Sequence, residues 1–296
     1  MVFNTAFLFI LGLAVGSFLN VVAFRYTGEG RLFHIPKING RSHCRTCERT
    51  LAWYELIPVV SFIFQLGTCR GCKQQLSWQY PLVEVASGVA CAFVPEIIWR
   101  VYQVPFALTL GMPPLWYYLV TVLFILVSLT LILISAIDAR LTIIPDQSTL
   151  LIVFLGIVLV GIHFWYGLFA DAHTAFVGFY AHLFGFQSSL WLNHIVGAFF
   201  GLIFFGFITL VSRGRAMGMG DVKLAGALGL LFGWPDTLVA LMLSFIIGSL
   251  WGILVLARRK KTFSSAVPFG PFIALGAATT VFFGQFIVNG YFRIFG

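Results

Sequence analysis

The run from Thr5 to Phe24, TAFLFILGLAVGSFLNVVAF, contains 20 residues and no charged side chain. At about 1.5 Å of rise per residue, a helix of that length matches the hydrocarbon thickness of a bilayer, roughly 30 Å. Comparable apolar runs recur at Tyr80–Trp99, Trp116–Ile137, Ser148–Trp165, Leu190–Ser212, Asp236–Ala257 and Val267–Val288. Backbone polar groups in lipid must be satisfied within the segment, so these runs predict helices. Val222–Phe232 is too short for a full crossing and is broken from the next run by Gly233, Trp234 and Pro235. A short or re-entrant helix is expected there, lining a cavity. The expected fold class is an all-α polytopic membrane protein of about eight membrane segments.

Composition agrees. Charged residues make up 9% of the chain, against roughly a quarter in soluble globules, and mean hydropathy is +0.98. A net charge of +8 does not point to nucleic acid, because Lys and Arg sit in short segments beside the apolar runs and read as topology signals and contacts to membrane lipids. Eight of the eighteen basic residues fall between Arg25 and Trp78, which predicts that this segment is cytoplasmic and that both termini are outside. Trp116, Tyr117, Tyr118, Trp165, Tyr166 and Trp191 then form an outer aromatic belt. Without a basic n-region or small-residue cleavage site, the first span is expected to stay in the mature protein. The expected division is residues 1–24 as the first span, 25–79 as a cysteine-rich cytoplasmic domain, 80–115 as the second span and an external loop, and 116–296 as the remaining membrane domain.

Two carboxylates stand at helix ends on the predicted cytoplasmic side. Asp221 closes the glycine-rich interruption RGRAMGMGDVKL, and Asp138 ends the third span. Ionisable groups at membrane depth are costly and mark functional sites. An even number of crossings separates them, so they can cooperate. Their placement at a helix N-terminus and a helix C-terminus suits a base and an acid that share one proton, with Asp221 activating water and Asp138 holding the proton. Gly218 and Gly220 permit positive φ or close approach of a second backbone. Asp146 competes for the acid role, but its place after Pro145 is that of a helix cap. A proton-coupled transporter is the alternative reading of such a pair, although no internal repeat supports it.

Cys44, Cys47, Cys69 and Cys72 form CRTC and CRGC pairs, a spacing that suits tetrahedral Zn2+ with four thiolates. A reducing compartment disfavours disulfides. His43 is a spare ligand, and Cys91 is expected to be a buried apolar residue. His163, His173, His182 and His194 are too scattered to predict a metal site.

DARLTIIPD at Asp138–Asp146 and GMGDVKL at Gly218–Leu224 resemble the D-x6-PD and GxGDxKL elements of bacterial type IV prepilin peptidases, aspartic proteases of the inner membrane. The resemblance implies that Asp138 and Asp221 are catalytic, with Gly218, Gly220 and Lys223 positioning substrate and backbone. Cys44–Glu84, with WYELIPVVSF and YPLVE, is similar to the N-terminal domain of the bifunctional members. That similarity implies methylation of the new N-terminal amine with S-adenosylmethionine, and Glu55, Gly67 and Glu84 as candidates for this step. A peptidase without methyltransferase activity is a further alternative. The implied partners are type IV prepilins or pseudopilins. Their leader is basic, as is the predicted inner face, so lateral diffusion and local carboxylates such as Glu29 or Glu48 are expected to receive it. GRSHCRTC departs from the family's PRSxCPxC, with Gly40 and Arg45 in place of prolines.

Overall fold

The computed structural model describes residues 4–30, 32, 40–102, 114–168, 175–178, 180–181, 189–215, 217–257 and 268–295. Its helices are α1 (Thr5–Arg25), α2 (Val60–Phe64), α3 (Gln79–Val101), α4 (Leu115–Leu141), α5 (Asp146–Tyr166), α6 (Leu190–Val211), α7 (Met219–Phe232), α8 (Asp236–Ala257) and α9 (Gly270–Phe295), with a 3-10 turn at Trp53–Leu56. Among the described residues, seven helices are long and apolar enough to cross a membrane. The chain is a multi-pass membrane protein. The eighth segment is α7, whose 14 residues span about 21 Å.

Local chemistry sets the ends. Asn4 Oδ1 accepts from Phe7 N–H at the start of α1, and Ser189 Oγ accepts from Leu192 N–H at the start of α6. Thr142 takes φ 54° to end α4, and Pro145 precedes α5.

The centre of the bundle is α4, which packs against α1, α3, α5 and α9. Its Val120, Phe124, Val127, Leu131 and Ile134, alternately four and three residues apart, are all buried. Lipid offers no hydrophobic drive for helix association, so close approach carries the packing. On α6, Gly197 and Gly201 face α7, where a Cβ on either would run into the backbone of Gly229 or Ala225.

Tyr117 corrects the belt expectation. It is 1% exposed, packs in the core and donates from its hydroxyl to Pro95 O at 3.0 Å. Trp165 and Trp191 are exposed as expected. Near the same end, Asp236 accepts from Phe176 N–H and Val177 N–H at 2.8 and 3.0 Å, and Phe176 inserts against Phe124 and Phe232. Residues 175–178 therefore close this end of the bundle. His163 and His194 become neighbours there, with ring centroids 6.2 Å apart, but no third ligand joins them among the described residues. His173 and His182, along with Arg31, Lys37 and the Arg258–Lys261 cluster, lie outside the described residues.

Candidate active site

Asp138 lies in the last turn of α4 and Asp221 in the first turn of α7. The fold brings both to the end of the bundle that carries the cysteine loop, close enough for their charges to interact. Their exposures are only 4% and 8%. Backbone N–H groups hold one oxygen of each: Gly270 donates to Asp138 Oδ2 at 2.8 Å, and Gly218 donates to Asp221 Oδ2 at 3.0 Å. Among the described residues no hydrogen bond engages Oδ1 of either acid. Such a pair can hold a water and exchange protons with it.

Of the two uses open to the glycines before Asp221, positive φ is absent. Gly218 has φ −86° and ψ 161°, and Gly220 is helical, so neither uses positive φ. Close approach explains Gly220, because a Cβ there would stand 3.1 Å from Ile144 Cβ. Asp146 does not cap α5 either. Pro145 occupies the cap position, and Asp146 Oδ1 accepts from Lys223 Nζ at 2.8 Å, tying the starts of α5 and α7 together.

The four cysteine sulfurs Cys44, Cys47, Cys69 and Cys72 lie within 4.8 Å of one another, and Cys44 Sγ is 3.9 Å from Cys72 Sγ. A tetrahedral ion with metal–sulfur bonds of about 2.3 Å sets its sulfurs about 3.8 Å apart, so the thiols fit one. Two similar knuckles present them. Cys44 N–H donates to Arg49 O and Cys69 N–H to Gln74 O, while Glu48 and Lys73, each following the second cysteine of its pair, turn the chain at φ 54° and 60°. Backbone N–H groups of Cys47 and Thr46 lower the Cys44 thiol, and those of Cys72 and Gly71 lower Cys69, which favours a thiolate at these two positions, whereas at Cys72 the Gln74 N–H is outweighed by burial and the neighbouring sulfurs, which raise the thiol. His43 turns to Arg41 O instead, and Cys91 is buried in α3.

The family described as bacterial peptidase A24 N-terminal domain matches residues 10–98, and the type IV leader peptidase family matches residues 125–253. A prepilin leader peptidase/N-methyltransferase of Burkholderia pseudomallei is 31% identical, covering 94% of this chain and 85% of that protein. The chain belongs to the type IV leader peptidase family. Relatives bearing the same name in Pseudomonas aeruginosa and Bacillus subtilis are each 30% identical, covering 97% of this chain and 93% and 97% of their own lengths. No solved structure matches.

In this type IV leader peptidase, the candidates for methyl transfer separate. Glu55 and Glu84 line one cavity, whereas Gly67 takes φ 66° to end α2, donating to Phe62 O at 2.9 Å. Glu55 Oε1 meets Arg49 Nη2 at 2.6 Å, and Glu55 Oε2 accepts from Ala52 N–H at 2.9 Å. Two contributors escape sequence reasoning. Arg140 donates to Phe24 O at 2.8 Å and Tyr26 O at 2.5 Å, joining the helix of Asp138 to the end of α1. Gly270 holds Asp138 across the whole later chain; the prolines flanking Phe269–Gly270 signal a helix start there, yet nothing local says which acid it meets.

Proposed function

We propose that this protein is an integral membrane aspartic endopeptidase that cleaves the leader of type IV prepilins or pseudopilins on the cytoplasmic side of the bacterial inner membrane, then N-methylates the new N-terminal residue. The observation that supports the reading is that Asp138 and Asp221, remote in sequence, are both buried at the same end of the bundle. The names of the relatives support both activities.

In this mechanism Asp221 Oδ1 takes a proton from a water whose oxygen bonds to the scissile carbonyl carbon, and Asp138 gives its proton to the carbonyl oxygen. The proton taken by Asp221 passes to the leaving nitrogen as the tetrahedral species collapses and the C–N bond breaks. Gly218 N–H and Gly270 N–H fix the carboxylates, Gly220 admits close packing, and Lys223 braces α7 through Asp146. Residues 116–296 carry this activity, after the span and loop of residues 80–115. Residues 25–79, following the first span at 1–24, carry methyl transfer and hold Zn2+ through their four cysteines. S-adenosylmethionine, held beside Glu55 and Glu84, would supply an electrophilic methyl group for the free amine. Both termini are outside, and exposed Glu29 and Glu48 receive the basic leader.

Asp138→Asn and Asp221→Asn test the reading, each assayed separately for leader removal and for methylation of a pre-cleaved pilin. Leader removal is expected to fall by at least about 100-fold in either variant. Full cleavage by purified Asp138→Asn in detergent would refute the pairing.

A further inference from the structure

Between the cysteine knuckles and the adjacent ends of α1 and α3 lies a cavity of about 570 Å3, within the rough 300–1,000 Å3 range of small-molecule sites. Ser17 and Phe24 of α1, Tyr80 and Glu84 of α3, and Arg45 and Glu55 of the loop line it. We propose that this cavity holds the methyl donor S-adenosylmethionine, with the Glu84 carboxylate facing its sulfonium. This rests on the methyltransferase reading above and adds to it the location of the donor.

Charge bookkeeping singles out Glu84. The other carboxylate in the cavity, Glu55, already has Arg49 as its cation. Glu84 is 6% exposed, and it accepts from Val59 N–H at 2.7 Å and from the Ser17 hydroxyl. Both donors are neutral, and among the described residues no cation pairs with it. A buried carboxylate at the level of the membrane helices, without a counter-ion, is costly unless a ligand supplies the positive charge. The bond to Glu84 also holds Val59 at φ 60° and ψ −50°. A β-branched residue seldom adopts that conformation, and such strain gathers at ligand clamps.

The remaining walls match the other parts of the same molecule. Phe62 and Tyr80 present aromatic surface for a purine, and the Phe24 and Tyr80 rings pack with centroids 4.7 Å apart. The Arg45 guanidinium, 4.9 Å from the Phe24 ring centroid, offers a fork for an amino-acid carboxylate. Arg140, on the last turn of α4, lies 5.5 Å from the same ring. Cys44 and Cys69 line the cavity as well, which makes the metal-holding knuckles its roof.

The test uses purified full-length protein in detergent. Ultraviolet cross-linking of radiolabelled S-adenosylmethionine, followed by peptide mapping, is expected to label peptides containing Phe24, Phe62 or Tyr80. By calorimetry, Glu84→Gln should weaken S-adenosylmethionine by about tenfold or more, the scale of a lost charge-assisted contact, and weaken the neutral S-adenosylhomocysteine by less than about threefold. Glu84→Asp, which keeps the charge, should recover part of the difference. If the wild type methylates a cleaved pilin but the label falls outside the cavity, or Glu84→Gln weakens both ligands equally, the inference is overturned and the methyltransferase reading stands. If the wild type neither binds S-adenosylmethionine nor methylates, both fall.

Discussion

Gly270 N–H donates to Asp138 Oδ2 at 2.8 Å, so the first residue of α9 holds an acid on the last turn of α4. The contact leaves no room for a side chain: a Cβ on Gly270 would stand 2.7 Å from that same oxygen. Gly270 is not at positive φ, so alanine suits the backbone and conflicts only with the carboxylate. Gly270→Ala is therefore expected to retain the fold and lower leader cleavage by about 100-fold, the scale of loss from an ångström of misplacement. Cleavage kinetics beside a thermal melt check this. A wild-type rate would remove Gly270 from the site.

The Lys223–Asp146 bridge should behave differently. Both side chains are more than half exposed, at 51% and 67%, and exposed pairs contribute about 0–1 kcal/mol. Asp146→Asn and Lys223→Gln are expected to slow cleavage by less than about tenfold, with the effect growing at low ionic strength. Abolished cleavage in Asp146→Asn beside full activity in Asp138→Asn would reassign the acid.

Glu55 makes the cysteine loop sensitive to acid. The Ala52 N–H and the Arg49 guanidinium hold its carboxyl below the usual value of 4.5. A lowered folded value means that this stabilisation is complete above about pH 4.5 and disappears as pH falls through the folded value. The melting-temperature difference between wild type and Glu55→Gln should be constant from pH 8 to about pH 5 and shrink below about pH 4. A difference that grows with acid would contradict the assignment.

Metal removal should act on the donor cavity before the acids, because Cys44 and Cys69 line that cavity while Asp138 and Asp221 belong to other helices. Chelation, or Cys47→Ser with Cys72→Ser, is expected to release one equivalent of zinc and reduce methylation by at least about tenfold, with a far smaller effect on leader removal. Metal analysis with separate assays of the two reactions checks it. Equal loss of both would place the metal's influence on the whole fold.

Much of this architecture is local and so was readable in the chain. A 20-residue apolar run must become a helix in lipid whatever surrounds it, and two C-x2-C pairs bring their own turns. Asp138 and Asp221 stand out as candidates for the same reason, since a carboxylate at the end of an apolar run is conspicuous without neighbours. Tyr117 was misread because an aromatic at a helix end looks alike whether it faces lipid or the core, and only α3, with Pro95 O, settles which. Gly218 and Gly220 stayed ambiguous in the sequence because a glycine permits either positive φ or a close neighbour, and only the fold brings Ile144 against Gly220.

The sequence by itself determined the membrane bundle and the paired cysteine knuckles, and it singled out Asp138 and Asp221 as candidate acids, because each signal lies in residues a few positions apart. Only the tertiary structure decided that Gly270 holds Asp138, that Arg140 joins α4 to the end of α1, and that Glu84 lines a cavity with no ion pair to it among the described residues. Those relationships depend on which helices lie side by side. Between helices in lipid, that choice is made by close packing at positions such as Gly197 and Gly229, and no local pattern encodes it.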